Sequence, residues 1–408
     1  MSGRAPEILR WLDAQREAEA RFLAAIVKVP SDNPPGDCAP AAEKAAALLE
    51  QLGFAVERHK VPEALVRANG MVSATNLVIR RRFGPGPVVA LNAHGDVVPP
   101  GEGWSVDPYG AVIRDGWMYG RGVAVSKSDF ATYAFALKAL EAAGQARGTV
   151  ELHFTYDEEA GGAIGPAWLL AEKITPPDFA ISAGFSYAIT TAHNGCLHLE
   201  VSVRGKSAHA AEPQNGHDAL EAATRILNAL YALRPALART VSKTPGIGWP
   251  NLTVGLIKGG INTNVVPDLV TFRLDRRIVP EEKPAEVEAD LRRRIEEAGR
   301  GLAGIAVGIR RILLAEPLVP RTGAEKLVGA IQRHAKGILG EAIPAQGVPL
   351  YTDARHYSAA GIPTVLYGAG PRTLLEANAH RADERLKLDD LAKATKVVAL
   401  ALAELLDA

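Results

Sequence analysis

The chain has 408 residues, 47% of them hydrophobic, and its 46 Lys and Arg are balanced by 46 Asp and Glu. That length buries a large core and suits two domains better than one. The balanced charge excludes a global field favouring nucleic acid or an acidic membrane surface, so any charged partner must be recognised locally. Residues 1–29 carry acidic side chains throughout and hold no uninterrupted apolar stretch of signal-peptide or membrane-span length. They read as an amphipathic helix with Ile8, Leu12, Phe22, Ile26 and Val27 near one face. A Pro/Gly/Asp loop over 30–37 stops it, and 41–52 reads as a second helix. The apolar runs 75–80 and 88–93, bounded by Gly and Pro, have the pattern of strands buried on both faces. Residues 130–143 read as a helix, and 149–155 as a strand that leads into Asp157, Glu158 and Glu159. Cys38 and Cys196 lack CxxC spacing and are expected to be reduced thiols, as in a cytoplasmic protein.

Strands alternating with helices predict an α/β fold, a mostly parallel sheet with helices on both faces, in which ligands gather beyond the carboxyl ends of the strands. The texture changes between residues 194 and 309. There 197–203 alternates like a half-exposed strand, 219–233 is a helix, 251–257 and 269–274 are strands, and 284–298 is a charged helix. This order predicts a smaller α+β, ferredoxin-like insert. Helix–strand alternation resumes from residue 325 and ends in a helix over 388–406. The expected organisation is a discontinuous α/β domain, 1–193 and 310–408, interrupted by an inserted domain, 194–309.

Three clusters carry chemistry. In HGDVVP, at the end of the strand 88–93, His94 stands two residues before Asp96. That spacing lets the carboxylate fix the imidazole tautomer and aim the other nitrogen at a metal. Glu158 and Glu159 follow the strand 149–155; adjacent residues point in different directions, so one carboxylate suits a metal and its neighbour a water. His380 lies in AHRADE, just before the last helix.

In this order the segments resemble the metal-dependent amidohydrolases and exopeptidases that include acetylornithine deacetylase, succinyl-diaminopimelate desuccinylase, carboxypeptidase G and aminoacylase. The likeness runs through HGDVVP, residues 103–122 ending in GRG, Glu158 with Glu159, residues 205–216 and 259–268, DRRIVP, TDAR, YGAG and AHRADE. It implies that His94 binds one zinc ion while Glu159 and His380 bind another. Asp96 then orients the site and Glu158 activates water. His209, in the insert, is implied to reach a second copy's active site and steady the oxyanion, which makes the insert a dimerisation domain and the protein a homodimer. Asn264 and Arg277 are implied to contact substrate, with the planar fork of Arg277 suited to a carboxylate. Gly368 and Gly370, in the YGAG turn, are expected to offer backbone N–H groups to the same end of the substrate.

Two positions break the pattern. Val125 stands where the family has a bridging Asp, and Gly184 where it has the second ion's carboxylate. Without a bridging anion two closely spaced cations repel, and Asp129 lies a helical turn beyond Val125. The expectation is therefore one ion per chain, zinc or another divalent metal, held by His94, Glu159 and His380, or none. The leading function is hydrolysis of an amide in an N-acyl amino acid or small peptide-like substrate. One alternative is a metal-independent acid/base enzyme (isomerase, epimerase or lyase) acting on a small carboxylate. Another is a non-catalytic binder of small molecules. No nucleic-acid or membrane partner is expected.

Overall fold

The structure, a computed structural model, describes residues 3–407. It divides into two compact units, one of residues 1–191, 320–346 and 352–408, the other of residues 192–319 and 347–351. Among the described residues no helix is long and apolar enough to cross a membrane.

The strands in chain order are β1 (Glu57–Lys60), β2 (Thr75–Arg82), β3 (Val88–His94), β4 (Val112–Arg114), β5 (Trp117–Tyr119), β6 (Thr149–Thr155), β7 (Phe179–Ser182) and β8 (Ile189–His193). They continue as β9 (Gly195–Arg204), β10 (Leu252–Gly259), β11 (Leu269–Ile278), β12 (Ala306–Ala315), β13 (Ala345–Val348), β14 (Thr364–Leu366) and β15 (Arg385–Lys387). The large sheet has the order β1-β2-β6-β3-β7-β14-β8-β13. Its centre is parallel, β6 to β3, β3 to β7 and β7 to β14, and antiparallel pairs flank it. In β3, Val89, Leu91 and Ala93 join the main core while Ala90 packs with Ala180 and Tyr357 on the other face. Burial on both faces explains why this segment reads as a continuous apolar run.

Helix Ala5–Val27 buries Ile8, Leu12, Phe22, Ile26 and Val27, and also Glu19. The Glu19 carboxyl meets the Thr395 hydroxyl of helix Leu388–Asp407. Burial pushes its pKa from 4.5 up to about 7, against the opposing effects of Thr395, Arg16 and Lys396. The fold thus favours the protonated acid, and this contribution is complete below about pH 4 and lost as pH rises through about 7. Glu19→Gln is expected to raise the melting temperature at about pH 8 and to leave it nearly unchanged at about pH 4. Equal shifts at both pH values would contradict this assignment.

The second unit contains a four-stranded antiparallel sheet of order β10-β11-β9-β12. Helices Ala219–Tyr231 and Pro284–Gly299 supply Ala222, Ile226, Leu291 and Ile295 to a core shared with Leu197, Leu199, Val201 and Phe272. Strand and helix order together are those of a ferredoxin-like βαββαβ unit. The expected limit at residue 309 falls inside β12, whose pairing with β9 runs from Ala306 to Ala315. The β12–β9 ladder carries this unit past that limit, and the unit extends to Val319 and also takes Gly347–Tyr351.

Candidate active site

β3 and β6 are parallel neighbours whose register sets His94 opposite Thr155. Their carboxyl ends therefore bring His94 beside the short turn Glu158–Ala160. His94 Nδ1 lies 3.0 Å from the Asp96 carbonyl and 3.3 Å from its Oδ1. A carbonyl only accepts, so Nδ1 carries a proton, and Nε2 presents its lone pair when the ring is neutral. That Nε2 faces Glu158 Oε2 at 4.0 Å.

Asp96 is fully buried and does more than orient the imidazole. Its carboxylate accepts the backbone N–H of Glu158 at 3.2 Å, that of Glu159 at 3.1 Å and the Asn33 amide at 3.0 Å. One side chain thus holds the imidazole and the turn bearing both glutamates. Burial pushes Glu158 up to about 7, with the charges of Glu159 and Asp96 adding to the rise and His94 opposing it.

The structure brings His94, Glu158 and Glu159 together, each offering a ligand atom within 4.8 Å of the others. His380, expected as the third ligand, is instead the neighbour of Glu159, with Nε2 at 3.3 Å from Oε1, and its side chain is half exposed. This contact with Glu159 raises the His380 pKa above its ordinary value, and the Glu159 Oε1 atom it reaches is buried. The His94 imidazole nitrogen and the Glu159 carboxylate, which also faces His380, are donors that fit a single divalent cation, and Glu158 stands beside them.

The positions assigned to a second ion do not fit one. Val125 and Ala124 donate their backbone N–H groups to Glu384 Oε1 at 3.2 and 3.0 Å. At Gly184 a Cβ would lie 2.7 Å from the Tyr367 backbone nitrogen, so no side chain enters without moving the backbone. Asp129 is buried and receives the Ala369 N–H, so it is held to the backbone beyond β14.

One of the two expected donors in the YGAG turn needs correction. Gly370 is buried and its N–H is bonded to the Gly184 carbonyl at 2.9 Å. It is not available to a ligand, because two chain segments pair there. Gly368 is also buried, and a Cβ on it would press within 2.0 Å of Asp129 Oδ1.

Two acids next to the site had no role assigned from sequence. Burial, then the charge of Asp96, pushes Asp157 up to about 7. Burial, then the charges of Asp157 and Glu158, raises Asp353 well above its ordinary range. Gly162 must be glycine here: its φ is +68° and a Cβ would meet Asp353 Oδ1 at 2.2 Å. The DEE and TDAR motifs contain both acids, but only the fold shows that they meet.

His209, Asn264 and Arg277 belong to the second unit. His209 and Asn264 are exposed neighbours: His209 bridges to Val265, and the Asn264 carbonyl accepts the Ala210 N–H. His209 Nδ1 accepts the Ala211 N–H at 3.1 Å, which puts its ring proton on Nε2 when the ring is neutral. Arg277 is held by Asp275 at 3.0 Å, with its guanidinium 5.9 Å from the Tyr351 ring centroid.

The family model described as peptidase family M20/M25/M40 matches residues 90–404. The succinyl-diaminopimelate desuccinylase of Acidiphilium cryptum (strain JF-5) is 30% identical over 357 residues, covering 84% of this chain and 87% of the relative. An enzyme with the same name from Sulfurimonas denitrificans is 27% identical over 346 residues, covering 79% and 85%. The fold is shared with the M20 family metallo-carboxypeptidase Sso-CP2 from Sulfolobus solfataricus, with a TM-score of 0.76, 20% identity, and coverage of 94% of this chain and 98% of that one. It is likewise shared with the di-peptidase Dug1p from Saccharomyces cerevisiae, with a TM-score of 0.78, 15% identity and 100% of both chains covered. The chain belongs to peptidase family M20/M25/M40 and is a hydrolase of the amidohydrolase or metallo-exopeptidase class.

Proposed function

We propose that the protein hydrolyses an amide bond in an N-acyl amino acid or small peptide-like substrate, using one divalent ion per chain, zinc by the character of its donors. The observation that carries this reading is the convergence of His94, Glu158 and Glu159 beside a Val125 and a Gly184 that offer a second ion nothing. His94 Nε2 and Glu159 would hold the ion, with His380 oriented by Glu159. An ion held there supplies Lewis acidity toward the scissile carbonyl.

Glu158, poised near neutrality by burial, takes the proton of the attacking water and returns it to the leaving amine. Asp96 keeps the His94 proton on Nδ1 and fixes the turn that carries Glu158. The Nε2–H of His209 is a donor suited to an oxyanion, and Arg277, anchored by Asp275, is suited to a substrate carboxylate.

Assembly as a homodimer, with His209 serving the other copy's site, accords with the exposure of His209 and with the edge strand β10. That strand displays Leu256 and Ile257 at 61% and 55% exposure, an apolar edge of the kind that pairs with another chain.

The test is a hydrolysis screen over N-succinyl and N-acetyl amino acids and dipeptides, with and without chelator, together with metal analysis and sedimentation. Expected are a dimer, hydrolysis abolished by chelator and restored by zinc, and one active-site ion per chain that His94→Ala loses. A second reading draws on Asp157 and Glu158, both near 7, which supply an acid and a base without an ion. Turnover of a small carboxylate that persists in chelator selects that reading. Ligand binding without turnover selects a non-catalytic binder.

A further inference from the structure

A second cluster of ligand-type side chains lies in the second unit, on the sheet. Cys196 and His198 stand two residues apart on β9, so both side chains leave the same face, opposite Leu197 and Leu199, which pack against the helices. On the antiparallel neighbour β11 the register sets Asp275 directly across from His198.

The three donor atoms converge. Cys196 Sγ is 3.1 Å from His198 Nε2, His198 Nε2 is 3.0 Å from Asp275 Oδ2, and Cys196 Sγ is 3.6 Å from that same oxygen. Neighbouring ligands of a tetrahedral zinc, at about 2.0–2.3 Å from the metal, sit roughly 3.3–3.6 Å apart. The triangle here is within a few tenths of an ångström of that spacing.

We propose that Cys196, His198 and Asp275 form a binding site for one borderline-soft divalent cation, zinc or cobalt(II), with an exchangeable water in the fourth position.

Two features favour a cation over a catalytic thiol. A Cys–His–Asp relay needs the thiol on one imidazole nitrogen and the carboxylate on the other. Here both approach Nε2, as ligands gathered around one centre would. Charge also balances, because a thiolate and a carboxylate neutralise a divalent ion while the imidazole adds a neutral donor.

The sulfur and nitrogen donors select zinc or cobalt over magnesium or calcium. Arg277 Nε holds Asp275 Oδ1 at 3.0 Å, leaving Oδ2 aimed at the centre, the kind of outer contact that orients a ligating carboxylate. Cys196 is fully buried, whereas the side chains of His198 and Asp275 are about one-third exposed, which gives an ion a way in.

The experiment is titration of chelator-stripped, full-length protein with cobalt(II), followed by absorption. Expected is a sulfur-to-cobalt charge-transfer band in the near ultraviolet that rises to a plateau as cobalt is added and is bleached by zinc. It should vanish in Cys196→Ser and weaken at least tenfold in apparent affinity in His198→Gln, and it should survive in Cys38→Ser. Circular dichroism and melting establish that each variant is folded, and His198→Gln decides the matter if Cys196→Ser is not. No thiolate band at saturating cobalt, or a band unchanged in either Cys196→Ser or His198→Gln, overturns the proposal. The readout reports sulfur ligation, so it stands or fails independently of the His94 site and of hydrolysis.

Discussion

Glu158→Gln is expected to lower kcat by about 10²–10⁴-fold while leaving substrate affinity within a few-fold, because the amide keeps the shape of the side chain but cannot take a proton. Glu158 bonds to Asp96 through its backbone N–H, not its side chain, so the turn should survive the change. The pH profile gives a second check. Catalysis needs the carboxylate ionised, and burial sets its pKa at about 7. kcat/KM should fall about tenfold per pH unit on the acid side and level off above it; a bound cation favours the charged form and moves that limb downward.

Stability should respond in the opposite sense. A raised carboxyl pKa stabilises the fold below its ordinary range and the contribution disappears as pH rises through about 7. Glu158→Gln should therefore melt no lower than the parent at about pH 8. A variant that hydrolyses substrate at the parental rate would remove Glu158 from the mechanism.

Glu384→Ala is expected to cost about 3–5 kcal/mol of stability, the range for breaking a buried ion pair from one side. Glu384 and Arg121 have side-chain exposures of 0% and 1% and meet at 2.6 Å. The same carboxylate receives the N–H groups of Ala124 and Val125, so the alanine variant strands a guanidinium and two backbone donors together. The next residue along, Ser126, exchanges hydrogen bonds with the backbone of His94 through its hydroxyl, at 3.0 and 3.2 Å. The damage should therefore reach the imidazole and lower activity in the fraction that remains folded. Urea unfolding monitored by intrinsic fluorescence measures the loss, and an unchanged midpoint would show that the pair is not supporting this loop.

Much of this was legible in the sequence where chemistry is local. HGD and the glutamate pair could be placed at strand ends because an apolar run breaks immediately before each, and parallel neighbours must then bring those ends together. The ferredoxin-like order followed from the switch to alternating strands. What escaped depended on contacts far apart in the chain. Nothing near residue 353 announces that Asp353 lies beside Asp157. The N–H of Gly370 looked available until its pairing with the Gly184 carbonyl was seen. His380 was expected as the third ligand, and only the fold shows its imidazole paired with Glu159 from an exposed position. The end of the insert was misplaced because β12 alternates weakly and is largely exposed, so its pairing with β9 has little apolar signature.

The crowding at Gly184 bears on the history of such a site as much as on its present chemistry. A carboxylate there would have to displace Leu366 and Tyr367, and an aspartate at 125 would put a charge on a segment whose backbone N–H already binds the buried Glu384 carboxylate. Neither substitution is useful alone, and one of them is sterically barred until β7 and β14 move apart. With the one-ion site proposed above, descent from this sequence, natural or in the laboratory, would be channelled toward refining that pocket. A library that varies single positions should not recover the two-ion form; only one that remodels the ends of both strands together samples the route back.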